Sequence, residues 1–551
     1  MTGSVNSGSS EAWTELGEPL HGAAVTADES TRVAVIGGGT MGAGIAQVAA
    51  LAGHRVQIHD IRPGAAGHAV RTAGEGIRRL AKRDLVSPAE ADSACARLEA
   101  VDDLADLAGC LVVLEAIAED LDAKRQLLRS LEDVVDDDAL LGTNTSSLSV
   151  TALGSALSRP ERLVGLHFFN PAYRMRLVEV VRGEQSGPAY VELATNLMRS
   201  WGKTPVVCAS TPGFVVNRVA RPYYGEAQRM VEERVSDAAT IDALLREGGG
   251  FPLGPLELSD LIGQDVNLAV ATSVWQQTFH DPRYAPTVFQ QRLVDAGHLG
   301  RKAGRGVYRY DASHGHASAT VALDVETGEP AAPWTAPRHL APRYVVYRDG
   351  WNVMTPVLAR AEAGAVPVVD DQPDGVEPWD DDGCADRGGV RLPSGGRLVE
   401  TTGETAAGIG RDVVVLDWVA DAETATRVAV AAAASARPET LAQAIGFLQA
   451  AGMAVSVVDD TPGLVVARTV AMLVNEAADV VLRREASAHD VDVAMKLGTG
   501  YPRGPLEWGD AIGPAGVARV LHGLHEATPT GRYRVGRGLK IAAERGTPLR
   551  G

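Results

Sequence analysis

The stretch RVAVIGGGTMGAGIAQVAALAGHRVQIHD, residues 32–60, decides the fold of this chain. A β-branched run (Val33, Val35, Ile36) leads into glycines at 37, 39 and 42, an alanine-rich segment follows, and a second apolar run ends at Asp60. That order predicts strand, tight turn, helix, strand. In the G-x-G-x-x-G spacing, Gly37 turns the chain, Gly39 lets the backbone approach a pyrophosphate, and Gly42 allows helix and strand to pack closely, with the anion on the helix N-terminus. Thr40 and Met41, inside the turn, are expected to share that cofactor contact. Asp60 stands where a carboxylate holds the adenosine ribose hydroxyls and repels a 2′-phosphate, so the expected dinucleotide is NAD rather than NADP. Arg62 weakens that preference slightly. A glycine turn of purely structural purpose is the competing reading.

Further along, LVVLEA (111–116) and LLGT (140–143) read as strands. In an open parallel sheet, ligands lie beyond the carboxyl ends of the strands, which makes Glu119, Asn144 and Ser146 candidates to face cofactor and substrate. Ser147 is expected to cap a helix instead. In GLHFFNPAYRMRLVEVV (165–181), His167 closes one apolar run and Glu179 lies in another, with Asn170-Pro171 forcing a turn between them. Two strands so joined bring a carboxylate beneath an imidazole, which then takes and returns a proton near neutral pH. Alcohol oxidation needs that pair. The plainer alternative is a core histidine on a backbone carbonyl, with Glu179 at a solvated edge. Residues 63–84 read as a helix ending in Arg78, Arg79, Lys82 and Arg83, which either meet the phosphates of a nucleotide-bearing substrate or form a solvated face.

The full 551 residues are too many for one core. A net charge of −18 argues against a nucleic-acid binder that relies on phosphate contacts. Cys95, Cys110, Cys208 and Cys384, widely spaced and without a CxxC, fit neither a disulfide framework nor a metal site, so the expected compartment is a reducing, cytoplasmic one. No apolar run reaches the roughly 18 residues that a membrane span takes. Residues 1–30 read as a loose tail without the features of a signal peptide.

The second half repeats the first. Thr211-Pro212-Gly213 recurs 250 residues later at Thr461-Pro462-Gly463, and Gly254-Pro255-Leu256-Glu257 recurs at the same interval as Gly504-Pro505-Leu506-Glu507. Asp260 and Gly263 keep that interval to Asp510 and Gly513, which marks a duplication. Asn217, whose amide can donate to a substrate oxygen, becomes Ala467 in the second copy, so the first copy reads as catalytic and the second as structural. A tandem copy can make within one chain the contact that a twofold dimer makes between chains, with or without further assembly. The expected architecture is an α/β Rossmann domain (31–210) with an all-α domain (211–311), a linker (312–343), a degenerate α/β domain (344–459) and a second all-α domain (460–551). Within it, residues 370–382 carry seven acidic residues and read as an exposed loop, and RDVVVLDWVAD (411–421) echoes CLVVLEAIAED (110–120) without a glycine triplet ahead of it.

On GGGTMGAGIA, EAIAEDLDAK, TNTSSL, GLHFFNP, LVEVV, TPGFVVNR, FPLGPLEL and KAGRGVY, in that order, the first 310 residues resemble the 3-hydroxyacyl-CoA dehydrogenases. The duplicated second half looks like the long bacterial form of that family, which includes the enzymes of phenylacetate catabolism that oxidise 3-hydroxyadipyl-CoA and is similar to the 3-hydroxybutyryl-CoA dehydrogenases. The resemblance implies oxidation of a 3-hydroxyacyl-CoA by NAD, with His167 as base, Glu179 as its partner, and Ser146 and Asn217 on the reacting oxygen. It also implies that Glu119, Lys124, Ser146, Asn170 and Lys302 lie against NAD and that Arg83 serves the CoA end. Ala467 and the missing glycine triplet argue against a second active site. A dehydrogenase of a free hydroxy or sugar acid, or a nucleotide-binding scaffold without activity, are the alternatives; a fused hydratase is not expected.

Overall fold

The computed structural model describes residues 31–310, 331–339 and 389–551, with the strand residues 322–323 and 345–347 and the single positions Val357 and Arg360. The tail 1–30, the acidic segment 370–382 and most of the linker 312–343 lie outside the described residues.

Eight strands form the first sheet: β1 (Arg32–Ile36), β2 (Arg55–His59), β3 (Leu98–Val101), β4 (Val112–Glu115), β5 (Leu140–Thr143), β6 (Leu163–Phe168), β7 (Leu177–Arg182) and β8 (Thr204–Ala209). Their order is β3-β2-β1-β4-β5-β6-β7-β8. Strands β1 to β6 are parallel, β7 reverses against β6, and β8 runs with β7. The central strands β4, β5 and β6 are unbroken runs of buried residues, as strands covered on both faces must be. The chain leaves β1 toward β2 and β3, then crosses back to β4, so the sheet has its switch point between β1 and β4. In open parallel sheets the ligand crevice lies at such a point, beyond the carboxyl ends of the strands. Helix α1 (Thr40–Leu51) starts directly over it. The reversal of β7 does separate work: its register sets His167 opposite Glu179.

Helices follow from Val216, the longest in this unit being Arg221–Glu232 and Gln264–Gln277. A short antiparallel pair, β9 (Arg309–Tyr310) and β10 (Ala322–Leu323), closes the unit. The second sheet holds β11 (Val345–Tyr347), β12 (Gly389–Arg391), β13 (Arg397–Glu400), β14 (Val413–Leu416), β15 (Arg427–Ala432) and β16 (Ala454–Val457), in chain order across the sheet. Within the region read as linker, residues 331–339 are tied down: the Ala336 N–H donates to the Val455 carbonyl and the Trp334 N–H to Thr240 Oγ1.

The duplication reaches further back than the sequence motifs mark. Strands β14, β15 and β16 and the helix Pro438–Ala450 begin 250 residues after β6, β7, β8 and the helix Pro188–Ser200. They also keep the same directions, β14 against β15 and β15 with β16. The stretch 411–421 is therefore the counterpart of 161–171, not of 110–120. Strand β4 has a parallel neighbour on each side, whereas β14, like β6, has an antiparallel one. Buried valine runs look alike in sequence whichever strand they form, which is why the echo misled.

The two copies contact each other in reciprocal pairs. The Ala209 N–H at the end of β8 donates to the Glu485 carbonyl, and the Asp459 N–H just past β16 donates to the Val235 carbonyl. Glu226 is fully buried and takes Arg468 at 2.8 Å, Arg532 at 2.5 Å and the Tyr533 hydroxyl at 2.9 Å, all from the other copy. Glu476 answers with Arg218 at 2.6 Å, Arg283 at 3.4 Å and the Tyr284 hydroxyl.

Candidate active site

The glycine turn has the clearances that its spacing calls for. Gly37 has φ +109°, and a Cβ on it would stand 2.5 Å from the Ala116 carbonyl oxygen. A Cβ on Gly42 would stand 1.8 Å from the Gly37 oxygen, so the helix could not approach β1. On Gly39 a Cβ would meet nothing within 4 Å: this glycine, with the exposed Thr40 and half-buried Met41, faces open space at the N-terminus of α1. An anion fits there. Asp60 accepts the Gly38 N–H at 2.7 Å, and Arg62 closes on it with its backbone N–H at 2.9 Å, Nε at 3.0 Å and Nη2 at 2.9 Å. The Arg62 hydrogen bonds hold the Asp60 carboxyl well below the usual carboxylate range. The Arg62 side chain is 68% exposed, so solvent reaches its contact with Asp60.

On the neighbouring strands Glu119 collects donors. Its Oε1 accepts Thr145 Oγ1 at 2.7 Å, the N–H groups of Ser146 and Ser147 at 2.9 Å each, and Ser147 Oγ at 2.9 Å. Burial works to raise this carboxyl, but the Lys124 charge 3.3 Å away and these hydrogen bonds outweigh it and hold it below the ordinary value. Lys124 itself is buried, with Nζ 2.7 Å from Glu115 Oε1, and Thr143 Oγ1 holds the other Glu115 oxygen at 2.6 Å. The structure thus sets Lys124 behind Glu119 rather than in the crevice. Ser147 does not cap the next helix: Ser149 does, accepting the Ala152 N–H at 3.1 Å. Asn144 Oδ1 accepts the Phe168 N–H at 2.8 Å and so fixes the strand end beside His167.

His167 Nδ1 lies 2.6 Å from Glu179 Oε2. Glu179 is fully buried, and its Oε1 accepts the N–H groups of Val215 at 3.0 Å and Val216 at 2.9 Å. Phe214, at φ +49°, turns the backbone so that both N–H groups meet the carboxylate. With Nδ1–H donating to the carboxylate, Nε2 is the ring nitrogen left to accept a proton. The rings of Phe169 and Phe214 stand 4.6 and 5.8 Å from the imidazole and limit its water. Asn217 Nδ2 is 3.4 Å from the Ser146 carbonyl oxygen, which brings those two residues to one place, and Asn170 is exposed just past β6.

Two residues stand apart. Lys302 Nζ sits in the helical unit on the Asp265 carboxylate at 2.6 and 2.7 Å, and no hydrogen bond among the described residues joins it to the glycine turn. Arg83 is exposed in the turn after the helix α2 (Ala65–Ala81). The backbone donors at 215 and 216 escaped the sequence reading; the signal available was a Thr-Pro-Gly turn directly ahead of Asn217.

In the second copy the same positions are dismantled. Asp417 stands where His167 stands, Ala429 faces it in place of Glu179, and Ala467 replaces Asn217. The Asp417 carboxylate accepts the N–H groups of Val465, Val466 and Ala467 at 3.0, 2.8 and 2.9 Å, taking from the opposite strand the anchoring duty that Glu179 has in the first copy.

A glycine turn on a parallel sheet, an aspartate just past its second strand and an imidazole backed by a buried carboxylate define a dinucleotide-dependent oxidoreductase. Family models match most of the chain: the 3-hydroxyacyl-CoA dehydrogenase NAD-binding domain over 32–211, its C-terminal domain over 213–310 and again over 463–547, and the 3-hydroxybutyryl-CoA dehydrogenase reduced Rossmann-fold domain over 398–462. The chain belongs to the 3-hydroxyacyl-CoA dehydrogenase family, and NAD is its cofactor. It is 41% identical to the 3-hydroxyadipyl-CoA dehydrogenase of Escherichia coli (strain K12), over 91% of this chain and 95% of that one. The crystal structure of 3-hydroxybutyryl-CoA dehydrogenase from Escherichia coli K12 substr. MG1655 superposes with a TM-score of 0.78 at 39% identity, covering 94% of this chain and 99% of that one. A half-length relative, (S)-3-hydroxybutyryl-CoA dehydrogenase from Ralstonia eutropha, is 38% identical with a TM-score of 0.50 over 51% of this chain and 99% of its own. Among the described residues no helix is long and apolar enough to cross a membrane.

Proposed function

We propose that the first copy oxidises an (S)-3-hydroxyacyl-CoA to the 3-oxoacyl-CoA, with His167 and Glu179 as general base and partner, in fatty-acid or aromatic catabolism. Bound NAD supplies the hydride acceptor. Nε2 of His167 takes the proton of the 3-hydroxyl while Glu179 stabilises the imidazolium through Nδ1. Ser146 Oγ and Asn217 Nδ2 hold the oxygen as charge develops on it, and in reduction the same imidazole returns the proton. Gly37, Gly39, Thr40, Met41, Gly42 and Asp60 seat the dinucleotide, with Glu119 and Asn170 at its nicotinamide end; Lys124 acts through Glu119. Arg83 meets the CoA phosphates, and Lys302 reaches the cofactor only if it leaves Asp265.

The observation that carries this reading is the 2.6 Å contact from His167 to a carboxylate whose other oxygen is pinned by two backbone N–H groups. The reciprocal clamps on Glu226 and Glu476 support reading the two helical copies as an internal pseudo-dimer within the domain limits set out above. The free thiols of Cys95, Cys110 and Cys208 fit a reducing compartment. In the test, His167→Gln binds NAD with unchanged affinity in a fluorescence titration, while kcat with a 3-hydroxyacyl-CoA drops by about 10² to 10⁴. Turnover near that of the parent would refute the assignment.

A further inference from the structure

The cleft of the second copy has been refitted as well as stripped. Asp417 stands at the place of His167, and the residues that follow it help to enclose an apolar void of about 180 Å³, walled by Trp418, Val419, Val466, Val470, Trp508 and Ile512. An apolar cavity of roughly 150 Å³ already stays dry and takes up benzene. A larger void of about 460 Å³ adjoins the first, shares Ala420, Arg503 and Trp508 with it, and lies between the copies against Arg246 and Glu247.

Two polar groups on the smaller void have nothing to bind. Arg503 is half-buried, and among the described residues no hydrogen bond or ion pair holds its guanidinium. Trp508 is 2% exposed, and its indole N–H is buried without an acceptor. Both are donors, and no acceptor side chain lines that void. The acids of the larger void are engaged elsewhere: Glu247 holds Arg427 at 2.8 Å, and Asp421 takes the Glu423 N–H at 2.9 Å. In the first copy the same two positions, 250 residues earlier, are Leu253 and Leu258. Decay accounts for the loss of His167, Glu179 and Asn217, but not for a cation and an indole gained at one void. A buried donor without an acceptor costs free energy, and an occupant that brings its own oxygen relieves that cost.

We propose that the second copy is a non-catalytic binding site for a small carboxylate with an apolar tail of about six carbons, the tail in the void beside Val466, Val470 and Trp508 and the carboxylate on Arg503. Asp417 takes no part, because its oxygens already accept three backbone N–H groups. With no base in reach, the occupant leaves unchanged. Calorimetric titration of hexanoate into the full chain tests this, with hexan-1-ol as the uncharged match and acetate as the tailless one. The parent binds one equivalent of hexanoate with a Kd of about 1 mM or tighter, hexan-1-ol about tenfold more weakly, and acetate not measurably. Arg503→Leu, which restores the first copy's residue, weakens hexanoate by about tenfold and leaves hexan-1-ol as it was. Trp508→Leu weakens both. Absence of hexanoate binding by the parent overturns the proposal. So does hexanoate binding that Arg503→Leu leaves unmoved, which would place the anion elsewhere, the first copy's cleft included. Equal affinity for hexanoate and hexan-1-ol overturns it too, since the void would then take any apolar molecule. Should Trp508→Leu fail to fold, Arg503→Leu and the comparison of the three ligands decide in the same way.

Discussion

Glu179 holds the His167 ring from a position where its own oxygens are fixed, the restraint that the base proposed above needs in order to face one hydroxyl. In the second copy the counterparts of His167, Glu179 and Asn217 have all been replaced. Asn217→Ala is therefore expected to lower kcat by about 10² to 10³, the range for one lost oxyanion donor. Ala467→Asn is expected to add nothing, since Asp417 and Ala429 leave its amide without a base. Steady-state rates of the two variants decide it, and a gain from Ala467→Asn would mean that the copies have been assigned the wrong way round. Much of this was legible in the sequence: His167 and Glu179 stood out by their places in two apolar runs, and Asn217 by its absent twin. Asp417 was not legible, because its carboxylate answers to backbone N–H groups from a strand position where the first copy has an imidazole. Nor did sequence show that Lys124 reaches inward to Glu115 or that Lys302 rests on Asp265, since a lysine's direction is set by whichever acid folding brings near.

In the second sheet two buried acids stand at the ends of neighbouring strands. Glu400 ends β13, is 9% exposed with Oε2 unpartnered, and burial, with the Asp417 charge adding to it, pushes its carboxyl up to about 8 against the pull of the Trp418 hydrogen bond. Burial raises Asp417 to about 6 despite its backbone donors. Both prefer to be protonated in the fold, so the stability they lend is complete below their ordinary values of 4.5 and 3.8 and is lost as pH rises through about 6 and then about 8. Tm is expected to decline over that window, and Glu400→Gln to flatten the upper part of the decline in a calorimetric series; an unchanged slope would remove Glu400 as its source. The glycine turn and the strand-turn-helix-strand opening of the first sheet followed from residues 32–60. The extent of the repeated α/β unit did not, because the period of 250 is carried there by strand direction and length after the marking residues have changed.

At the scale of the molecule, the Glu226 and Glu476 clamps join the copies through charges fully removed from water. Burial raises the Glu226 carboxyl, yet Arg532 and Arg468 bring it down to about 2. Glu226→Gln leaves two buried guanidiniums short of their shared anion, and a loss of about 3–5 kcal/mol is expected, measured as a shift in the urea midpoint of the full chain. A change within error would show that solvent or Glu233 compensates.

That covalent joining has a bearing on inheritance. When two identical subunits meet, one altered codon is felt on both sides of the axis, and a half that sheds its catalyst disables its mate as well. Here each half mutates alone, and under the single-site reading proposed above a titration with a tight inhibitor is expected to count one equivalent per polypeptide.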